Sequence, residues 1–310
     1  MEQRLLGRTG LSLSLIGFGA APLGNEYGNV DVVEGERAVH AAIDAGINFF
    51  DTSPYYGRTL SEERLGKALL GRRDRVVLST KCGRYDFQGF DFSAERVRAS
   101  IDESLARLRT DYLDIFIAHD IEFGDRNQIV EETIPAMRDL QQQGKARSIG
   151  ISGFPIKLLA NVAVEAKVDL VLSYCHYNLM VQSLDQFLLP QLEANEIGLI
   201  NGSPLHMGML TTGGPPPWHP APQIVKDTAR KVVEFCEARG VDPALPGLHF
   251  ALGHRYAAST LVGIRTVHEL QQNLRALAFK PNADLMAGIE RIIAPVRDMT
   301  WPSGRPENNE

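Results

Sequence analysis

Short apolar runs alternate with longer amphipathic stretches along almost the whole chain. The long stretches repeat apolar residues at helical spacing and end at a glycine or a charged turn, which predicts helices. The short runs are rich in β-branched and aromatic residues, which predicts strands. The predicted strands span residues 13–19, 47–50, 75–80, 112–118, 146–151, 170–174, 197–202 and 259–263, and the predicted helices span 34–45, 61–70, 93–108, 129–143, 156–166, 184–196, 224–239, 244–255 and 267–277.

This alternation continues without a change of composition, so a single domain is predicted over residues 1–310. Eight strands that alternate with helices indicate an α/β fold, a closed parallel (β/α)8 TIM barrel. A C-terminal helical appendage is expected at 281–293, then an extended tail from about residue 296 whose last residues are loose. The proline-rich stretch 211–222 is expected to be a loop over one face.

A doubly wound sheet is the weaker alternative for the same alternation of strands and helices. Its dinucleotide fingerprint requires a third glycine after the first strand, and the run Gly17-Phe18-Gly19-Ala20-Ala21-Pro22 has proline at that position. No acidic residue ends the second strand in the context that this fold requires. The closed barrel is therefore the predicted architecture.

The net charge of the chain indicates which classes of binding partner to expect. With 32 Lys and Arg against 38 Asp and Glu, the net charge of −6 argues against nucleic acids and anionic membranes and favours a small neutral or cationic substrate. No basic and apolar leader opens the chain and no run is long enough to span a bilayer, so a cytoplasmic protein is expected. The three cysteines, Cys82, Cys175 and Cys236, lack metal-ligand spacing and are expected to be reduced packing residues.

Four ionisable residues lie at the ends of three consecutive predicted strands. Asp51 and Tyr56 follow the second strand, Lys81 ends the third and His119 ends the fourth. In a (β/α)8 barrel the carboxyl ends of all strands meet at one mouth, so these side chains are expected to face one another. Each of them alone has an ordinary structural explanation, but together they predict a proton-handling site.

The chemical types of these residues suit the interconversion of a carbonyl and an alcohol. A tyrosine has an unperturbed pKa of about 10, so it transfers a proton readily only when a cation or a hydrogen-bond donor stabilises its phenolate. Lys81 is expected to supply that cation, Asp51 to hold Lys81 by an ion pair, and His119 to bind the reacting oxygen. No His-Glu-x-x-His helix is present, so no metal site is predicted, and phenylalanine replaces the last glycine of a serine-hydrolase elbow around Ser152.

The run Asp51-Thr52-Ser53-Pro54-Tyr55-Tyr56-Gly57 resembles the first signature of the aldo-keto reductases, and the likeness extends from Leu6-Gly7-Arg8-Thr9-Gly10-Leu11 to the last helix. The resemblance implies that Asp51, Tyr56, Lys81 and His119 are catalytic, with Tyr56 as the general acid/base. It also implies a (β/α)8 barrel that binds a nicotinamide cofactor in extended form, without a Rossmann domain.

Longer runs resemble the subgroup of these enzymes that oxidises L-galactose, L-fucose and other aldoses at C1. They include Thr80-Lys81-Cys82-Gly83-Arg84-Tyr85, His119-Asp120-Ile121-Glu122-Phe123-Gly124 and Trp218-His219-Pro220-Ala221. This likeness predicts a small-molecule sugar substrate, above all L-galactose, whose anomeric hydroxyl is oxidised to give the lactone. Tyr55, Asp120 and Trp218 are expected to contact the sugar. Oxidation of L-fucose, D-arabinose or a pyridoxal-type alcohol, and a purely nucleotide-sensing subunit, remain alternatives, and the oligomeric state is left open.

The same resemblance implies which residues bind the cofactor. Family members often have Ser-Asn where this chain has Ser152-Gly153, so one contact with the carboxamide is not expected here. Glu269 stands where members that prefer NADP place a basic residue, which favours NAD, because a carboxylate repels a 2′-phosphate. Arg265 in the same loop is the counter-argument. The expected cofactor contacts are Gly19, Ala20, Ala21, Ser152, Ser173, Ser203, Leu205, Gly263, Arg265, Glu269 and Asn273.

Overall fold

The computed structural model describes residues 1–309. Its strands, in chain order, are β1 Gln3–Leu5, β2 Ser12–Ser14, β3 Ile16–Gly19, β4 Phe49–Asp51, β5 Val77–Cys82, β6 Leu113–Ala118, β7 Ala146–Gly153, β8 Leu170–Tyr174, β9 Gly198–Gly202 and β10 Ser259–Gly263. Strands β3 to β10 follow one another around a closed barrel, and β10 closes it by pairing in parallel with β3. The predicted (β/α)8 barrel is confirmed.

The strands are buried on both faces, as strands in a parallel barrel must be. In β6, Ile115 and Ile117 belong to the apolar cluster inside the barrel, whereas Phe116 and Ala118 pack in the layer between strands and helices. This alternation follows from the two-residue repeat of a strand. Burial of each large apolar side chain stabilises the fold by about 1.5–3 kcal/mol relative to leaving it exposed.

The helices surround the barrel, and prolines explain where two of them differ from prediction. The predicted helix 184–196 is divided after residue 187, because Pro190 cannot donate the backbone hydrogen bond that an uninterrupted helix needs. The predicted helix 129–143 begins earlier and passes through a π-helical turn, Ile129–Thr133, which ends two residues before Pro135. The helices are α1 Val32–Asp44, α2 Leu60–Ala68, α3 Ala94–Leu108, α4 Arg126–Gln128, α5 Ile134–Gln142, α6 Ile156–Glu165, α7 Ser183–Phe187, α8 Leu189–Ala194, α9 Gln223–Glu237, α10 Ala244–Leu252, α11 Val267–Arg275 and α12 Ala283–Ile293.

The N-terminus corrects the prediction of one strand over residues 13–19. β2 pairs antiparallel with β1 in a hairpin, and the barrel strand β3 begins only at Ile16. Leu6, Leu11 and Leu13 of this hairpin join the apolar cluster inside the barrel and so close its floor. The turn needs glycine at residue 7, because a Cβ there would lie 2.4 Å from the amide nitrogen of Gly198. One apolar run therefore contains two strands with different partners.

The C-terminal segment corrects the expectation that the last residues are loose. After α12, which packs on α9, the chain turns back across the barrel. Trp301 is 9% exposed, and the final turn, Pro306–Asn308, buries Asn308. The Asn308 amide donates hydrogen bonds to the backbone oxygens of Glu122, at 2.8 Å, and Gly124, at 3.0 Å. The tail is therefore anchored on the loop that follows β6.

Two further observations concern membrane-spanning helices and the cysteines. Within residues 1–309, none of the helices has the length and apolar character needed to cross a bilayer. All three cysteines are free thiols buried in the protein, as the sequence predicts. Burial raises the pKa of Cys175 to about 12 and that of Cys236 to about 11, so neither is a reactive thiolate.

Candidate active site

A cavity of ≈ 1640 Å³ opens at the carboxyl ends of the barrel strands. Ligand pockets commonly enclose about 300–1,000 Å³, so this cavity has room for two ligands side by side. Its wall contains most of the residues singled out in the sequence. These are Asp51, Tyr56, Lys81 and His119, then Tyr55, Asp120 and Trp218, and finally Gly19, Ala21, Ser152, Ser203, Leu205, Gly263, Arg265, Glu269 and Asn273.

Lys81 is fixed by three acceptors, one for each hydrogen of its ammonium group. Its Nζ lies 2.6 Å from Asp51 Oδ2, 2.7 Å from the backbone oxygen of Thr52 and 3.3 Å from the Tyr56 hydroxyl oxygen. Burial raises the pKa of Asp51, and the Lys81 charge and a 3.0 Å hydrogen bond from Ser79 oppose that rise. Removing one partner of a buried ion pair costs about 3–5 kcal/mol, so this contact also holds the strand ends together.

The hydroxyl of Tyr56 lies on the cavity wall in contact with Lys81. Because its oxygen accepts from Lys81, its own hydrogen is left for an acceptor in the cavity. Burial, and after it the charges of Asp51 and Asp120, raise the pKa of this phenol well above its ordinary value. The sequence predicts the opposite effect on this phenol, in which Lys81 stabilises the phenolate. The Lys81 ammonium group does contact the Tyr56 hydroxyl oxygen, but burial is the largest influence on the pKa of the phenol.

His119 presents one ring nitrogen to the cavity. Its Nδ1 lies 3.1 Å from Ser53 Oγ, which already accepts the amide hydrogen of Tyr55. The Ser53 proton is therefore available to Nδ1, which favours the tautomer with hydrogen on Nε2. Burial lowers the pKa of His119 to about 3, so the ring is neutral near pH 7. A neutral imidazole of this kind can donate a hydrogen bond to a ligand oxygen.

Asp120 carries a buried oxygen atom without a partner. It precedes a short 3-10 helix, Ile121–Phe123, but its side chain makes no capping hydrogen bond. Oδ2 accepts from Arg84 Nη1 at 2.5 Å, whereas Oδ1 has no hydrogen-bond partner within residues 1–309. Burial acts to raise the pKa of Asp120, but the charge of Arg84, its hydrogen bond to the carboxylate and the charge of Lys81 oppose that rise, and the pKa lies below its usual range. The site thus contains an ionised carboxylate with one free acceptor.

Tyr55 and Trp218 border different parts of the cavity. The Arg84 guanidinium lies over the Tyr55 ring at 3.8 Å, and the Tyr55 and His119 ring centroids are 6.1 Å apart, so Tyr55 stands beside the proton-handling residues. Trp218 lies in the proline-rich loop, 53% exposed, with its ring 6.0 Å from that of Tyr27. The predicted contact of Trp218 with the sugar is therefore less direct than that of Tyr55.

The opposite end of the cavity is bordered by the start of α11. Arg265 donates to Glu269 Oε1 through Nε, at 2.8 Å, and through Nη2, at 2.5 Å, and its Nη1 donates to the backbone oxygen of Tyr27 at 3.0 Å. Glu34 accepts the amide hydrogen of Val267 at 3.0 Å. Two carboxylates therefore lie at the first turn of this helix, of which Glu269 borders the cavity, and the guanidinium of Arg265 is already paired with it.

Two predicted cofactor contacts do not reach the cavity wall. Ala20 is fully buried behind it, between two residues that do border the cavity. Ser173 is also fully buried, because its neighbours Leu172 and Tyr174 on β8 face the cavity and alternate residues of a strand face opposite sides. The Ser173 hydroxyl has no hydrogen-bond partner in the part of the chain that the structure describes. Contact of these two residues with a cofactor stays a prediction.

The remaining residues fit an extended dinucleotide. The cavity extends from the proton-handling residues to α11, and its wall is made of small groups where strands and loops approach a ligand, including Gly19, Ser203 and Gly263. Ser203 has a left-handed backbone, with φ of 55°. A nicotinamide group would lie against Ser152, beside Tyr56, and the nucleotide end would lie against Arg265 to Asn273. Within residues 1–309, no group of three or more His, Cys, Asp or Glu side chains could hold a metal ion.

Sequence reasoning missed several residues of this site. Arg84, Phe154, Tyr174, Trp301 and Ser303 all border the cavity. Arg84 follows Lys81 closely, so a charged residue just beyond a strand end was a usable signal. Trp301 is one of only two tryptophans in the chain, and a large aromatic residue in a tail is itself a sign of packing.

Comparisons with known proteins agree with this geometry. The aldo/keto reductase family profile matches residues 15–294. L-galactose dehydrogenase from Arabidopsis thaliana is 46% identical over 318 aligned residues that cover 99% of each chain. D-threo-aldose 1-dehydrogenase from a Pseudomonas species is 30% identical, over 90% of this chain and 93% of that protein.

A solved structure shares the fold. The holo form of an aldo-keto reductase from Bacillus halodurans superposes over 100% of both chains with a TM-score of 0.80 at 24% identity. The family match extends over most of the barrel, and the first relative aligns almost end to end. The chain therefore belongs to the aldo/keto reductase family and is an oxidoreductase.

Proposed function

We propose that this enzyme oxidises the anomeric C1 hydroxyl of a sugar, L-galactose in first place, to the lactone with NAD as the hydride acceptor. The observation that carries the proposal is the arrangement of Lys81, Tyr56 and His119 around one point of the cavity. A hydroxyl oxygen there meets the Tyr56 oxygen and a neutral His119 ring at once. The 46% identity to an L-galactose dehydrogenase supports the choice of sugar.

In the direction of oxidation, Tyr56 is proposed to react as its phenolate and to take the hydroxyl proton of the substrate while the hydride passes to the nicotinamide. Three fixed contacts of Lys81 keep its positive charge next to the phenol oxygen, so negative charge that develops there is opposed by a cation. His119 would donate through Nε2 to the reacting oxygen and hold it in line. Bound nicotinamide supplies the hydride-accepting carbon. Because burial raises the pKa of Tyr56, oxidation is expected to become faster as the pH rises above neutrality.

Asp120 is proposed to select the sugar. Among the residues that the structure describes, its buried Oδ1 has no hydrogen-bond partner, and Asp120 borders the cavity one residue from His119. A substrate hydroxyl satisfies such an oxygen, and a substrate that lacks this hydroxyl leaves it unpaired at a cost of about 1–3 kcal/mol. The Tyr55 and Phe123 rings supply apolar faces nearby. Aromatic faces combined with a carboxylate suit a pyranose, which has polar edges and an apolar face.

The preference for NAD is proposed from the acidic surroundings of α11. A 2′-phosphate placed there would meet the carboxylate of Glu269, whereas a ribose hydroxyl can donate to a carboxylate. Arg265, which alone would favour NADP, has its donors committed to Glu269 and to the oxygen of Tyr27. The counter-argument from Arg265 is therefore weakened by its own ion pair.

A substrate panel tests the proposal directly. The enzyme is mixed with NAD or NADP and with L-galactose, L-fucose, D-arabinose or pyridoxal, and formation of reduced cofactor is followed by absorbance. We expect the highest kcat/KM with L-galactose and NAD. A higher value with pyridoxal would move the function to oxidation of another alcohol by the same residues. Tight binding of NADH with no turnover on any substrate would favour a nucleotide-sensing role.

A further inference from the structure

Glu122 is a buried acid that the proposed mechanism does not use. It lies two residues after Asp120, has no exposed surface, and sits behind the cavity wall. Its Oε1 is within hydrogen-bond distance of three donors: the amide of Phe154 at 3.2 Å, the hydroxyl of Tyr174 at 3.3 Å and the hydroxyl of Ser303 at 3.0 Å. All three donor residues border the cavity. One carboxylate oxygen thus joins the ends of β7 and β8 to the C-terminal tail.

The backbone of the same residue holds the tail a second time. The Glu122 carbonyl oxygen accepts from the amide of Arg305 at 2.9 Å and from the side chain of Asn308 at 2.8 Å. The tail passes so close that a Cβ on Gly304 would lie 2.3 Å from that oxygen, and Gly304 has a positive φ of 72°. Glycine is needed at this crossing.

The tail segment held in this way forms part of the pocket. Trp301 stacks on Phe154, with ring centroids 4.8 Å apart and planes inclined by 20°, and both residues border the cavity. The rings of His206 and His219 meet the indole edge to face at centroid distances of 5.5 and 5.4 Å. Trp301 therefore occupies a defined place between β7 and the loop after β9, although it is carried by the end of the chain.

We propose that Glu122 is a positioning residue that fastens the C-terminal tail to the barrel and so fixes the pocket wall formed by Trp301, Phe154 and Tyr174. The effect on sugar binding rests on the proposed function, whereas the attachment of the tail by Glu122 is independent of it. Glu122 touches no reacting atom, so its loss should affect the fit of the substrate more than the proton-handling residues.

Because Glu122 is mostly uncharged in the folded protein, glutamine is a suitable conservative replacement. Burial first, and then the charge of Asp120, raise the pKa of Glu122 to about 8. Its Oε2 faces Gly153, where a Cβ would lie 2.6 Å away, and it has no hydrogen-bond partner within residues 1–309. A glutamine keeps the accepting oxygen and the shape without the charge, whereas a leucine removes the acceptor and leaves three donors without it.

The first experiment follows the tail without any substrate. The chain has two tryptophans, so Trp218→Phe leaves Trp301 as the only indole, and acrylamide quenching of its fluorescence then reports how well the tail is docked. In this background we compare Glu122→Leu, Glu122→Gln and Glu307→Leu, the last being an exposed tail acid. We expect quenching to increase about twofold or more in Glu122→Leu and to stay near the parent value in the other two, because only leucine removes the buried acceptor.

The second experiment measures kinetics in the chain with Trp218 intact. We expect Glu122→Leu to raise KM for the sugar roughly tenfold, the equivalent of about one well-made hydrogen bond, with kcat and KM for NAD changed less than about threefold. Glu122→Gln should restore KM. If Glu122→Leu does not fold, Ser303→Ala removes one of the three contacts and should move quenching and KM in the same direction by a smaller factor.

Unchanged Trp301 quenching in a folded Glu122→Leu protein overturns the inference, whatever the activity. Equal losses in kcat and in the KM of both substrates also overturn it, because a general structural defect would cause them. Failure of the proposed function looks different: the unmodified enzyme is inactive on every sugar of the panel, while quenching still separates leucine from glutamine at position 122.

Discussion

The two sides of the cavity are built in different ways. On one side, adjacent strands end at Asp51, Lys81 and His119, and the polar atoms of these residues are largely satisfied by one another and by the barrel. The other side contains residues from loops and from the tail, and within residues 1–309 Asp120 on its wall has a buried oxygen without a hydrogen-bond partner. A closed set of contacts preserves one chemistry, whereas an open acceptor on the cavity wall can select a particular ligand. Reaction type and substrate choice should therefore respond to different substitutions.

The largest effect is expected for Tyr56→Phe, which should change the reaction rate much more than ligand binding. The substitution removes the transferable proton and keeps the ring that packs against His119, at a centroid distance of 5.7 Å. We expect kcat to fall by about 10²–10⁴-fold while the affinity for NAD, measured by fluorescence titration, stays within about threefold. Near-normal turnover would show that Tyr56 does not transfer the proton and would end the distinction between the two sides.

Asp120→Asn tests the open side, with a smaller expected effect. The amide keeps the size of the side chain but loses the charge that pairs with Arg84 and one acceptor site of the carboxylate. We expect KM for the sugar to rise about tenfold to a hundredfold, with kcat reduced less than KM is raised. Comparing L-galactose with analogues that lack one hydroxyl would identify the group that Asp120 binds. An unchanged KM for every sugar would assign Asp120 to structure alone.

The difference between the two sides of the cavity also explains which residues of the site the sequence could predict. Lys81 and His119 were predictable because barrel topology brings strand ends together whatever their distance in sequence. Ser303 reaches Glu122 across 181 residues, through a tail with no regular pattern, and no local rule predicts such a contact. Ala20 and Ser173 were placed in the right region, but the direction of a side chain depends on strand register, which a pattern fixes only to within a residue or two.

The buried acid of the open side should make stability depend on pH. The pKa of Glu122 is raised from 4.5 to about 8 in the folded chain, so the folded state favours the protonated form. The stabilisation from this group is complete below the unfolded pKa and is lost as the pH rises through about 8. Glu122→Gln stays neutral, so its stability relative to the unmodified protein should rise by up to about 1.4 kcal/mol per pH unit across this window.

Urea unfolding at several pH values between about 5 and 8 measures this difference, and protonation of all other groups cancels in the comparison. Glu307→Gln, an identical change at an exposed position of the tail, is the matched control and should show no such slope. A difference between Glu122→Gln and the unmodified protein that does not vary with pH would mean that Glu122 is ionised throughout.

The smallest expected effect concerns the nucleotide end, which is also built from loop residues. Glu269→Gln removes one of the two carboxylates at α11 and releases the Arg265 guanidinium from its ion pair. Because Arg265 and Glu269 are partly exposed, water and salt screen their charges, and we expect the ratio of kcat/KM for NADP to that for NAD to rise only about threefold to tenfold.

Arg265→Gln in the same protein should reverse the gain, since the guanidinium is the group expected to bind the phosphate. If the single and double variants keep the original ratio, cofactor choice is set elsewhere along the cavity. The contrast between a closed chemical side and open, adjustable loops would then not extend to the nucleotide.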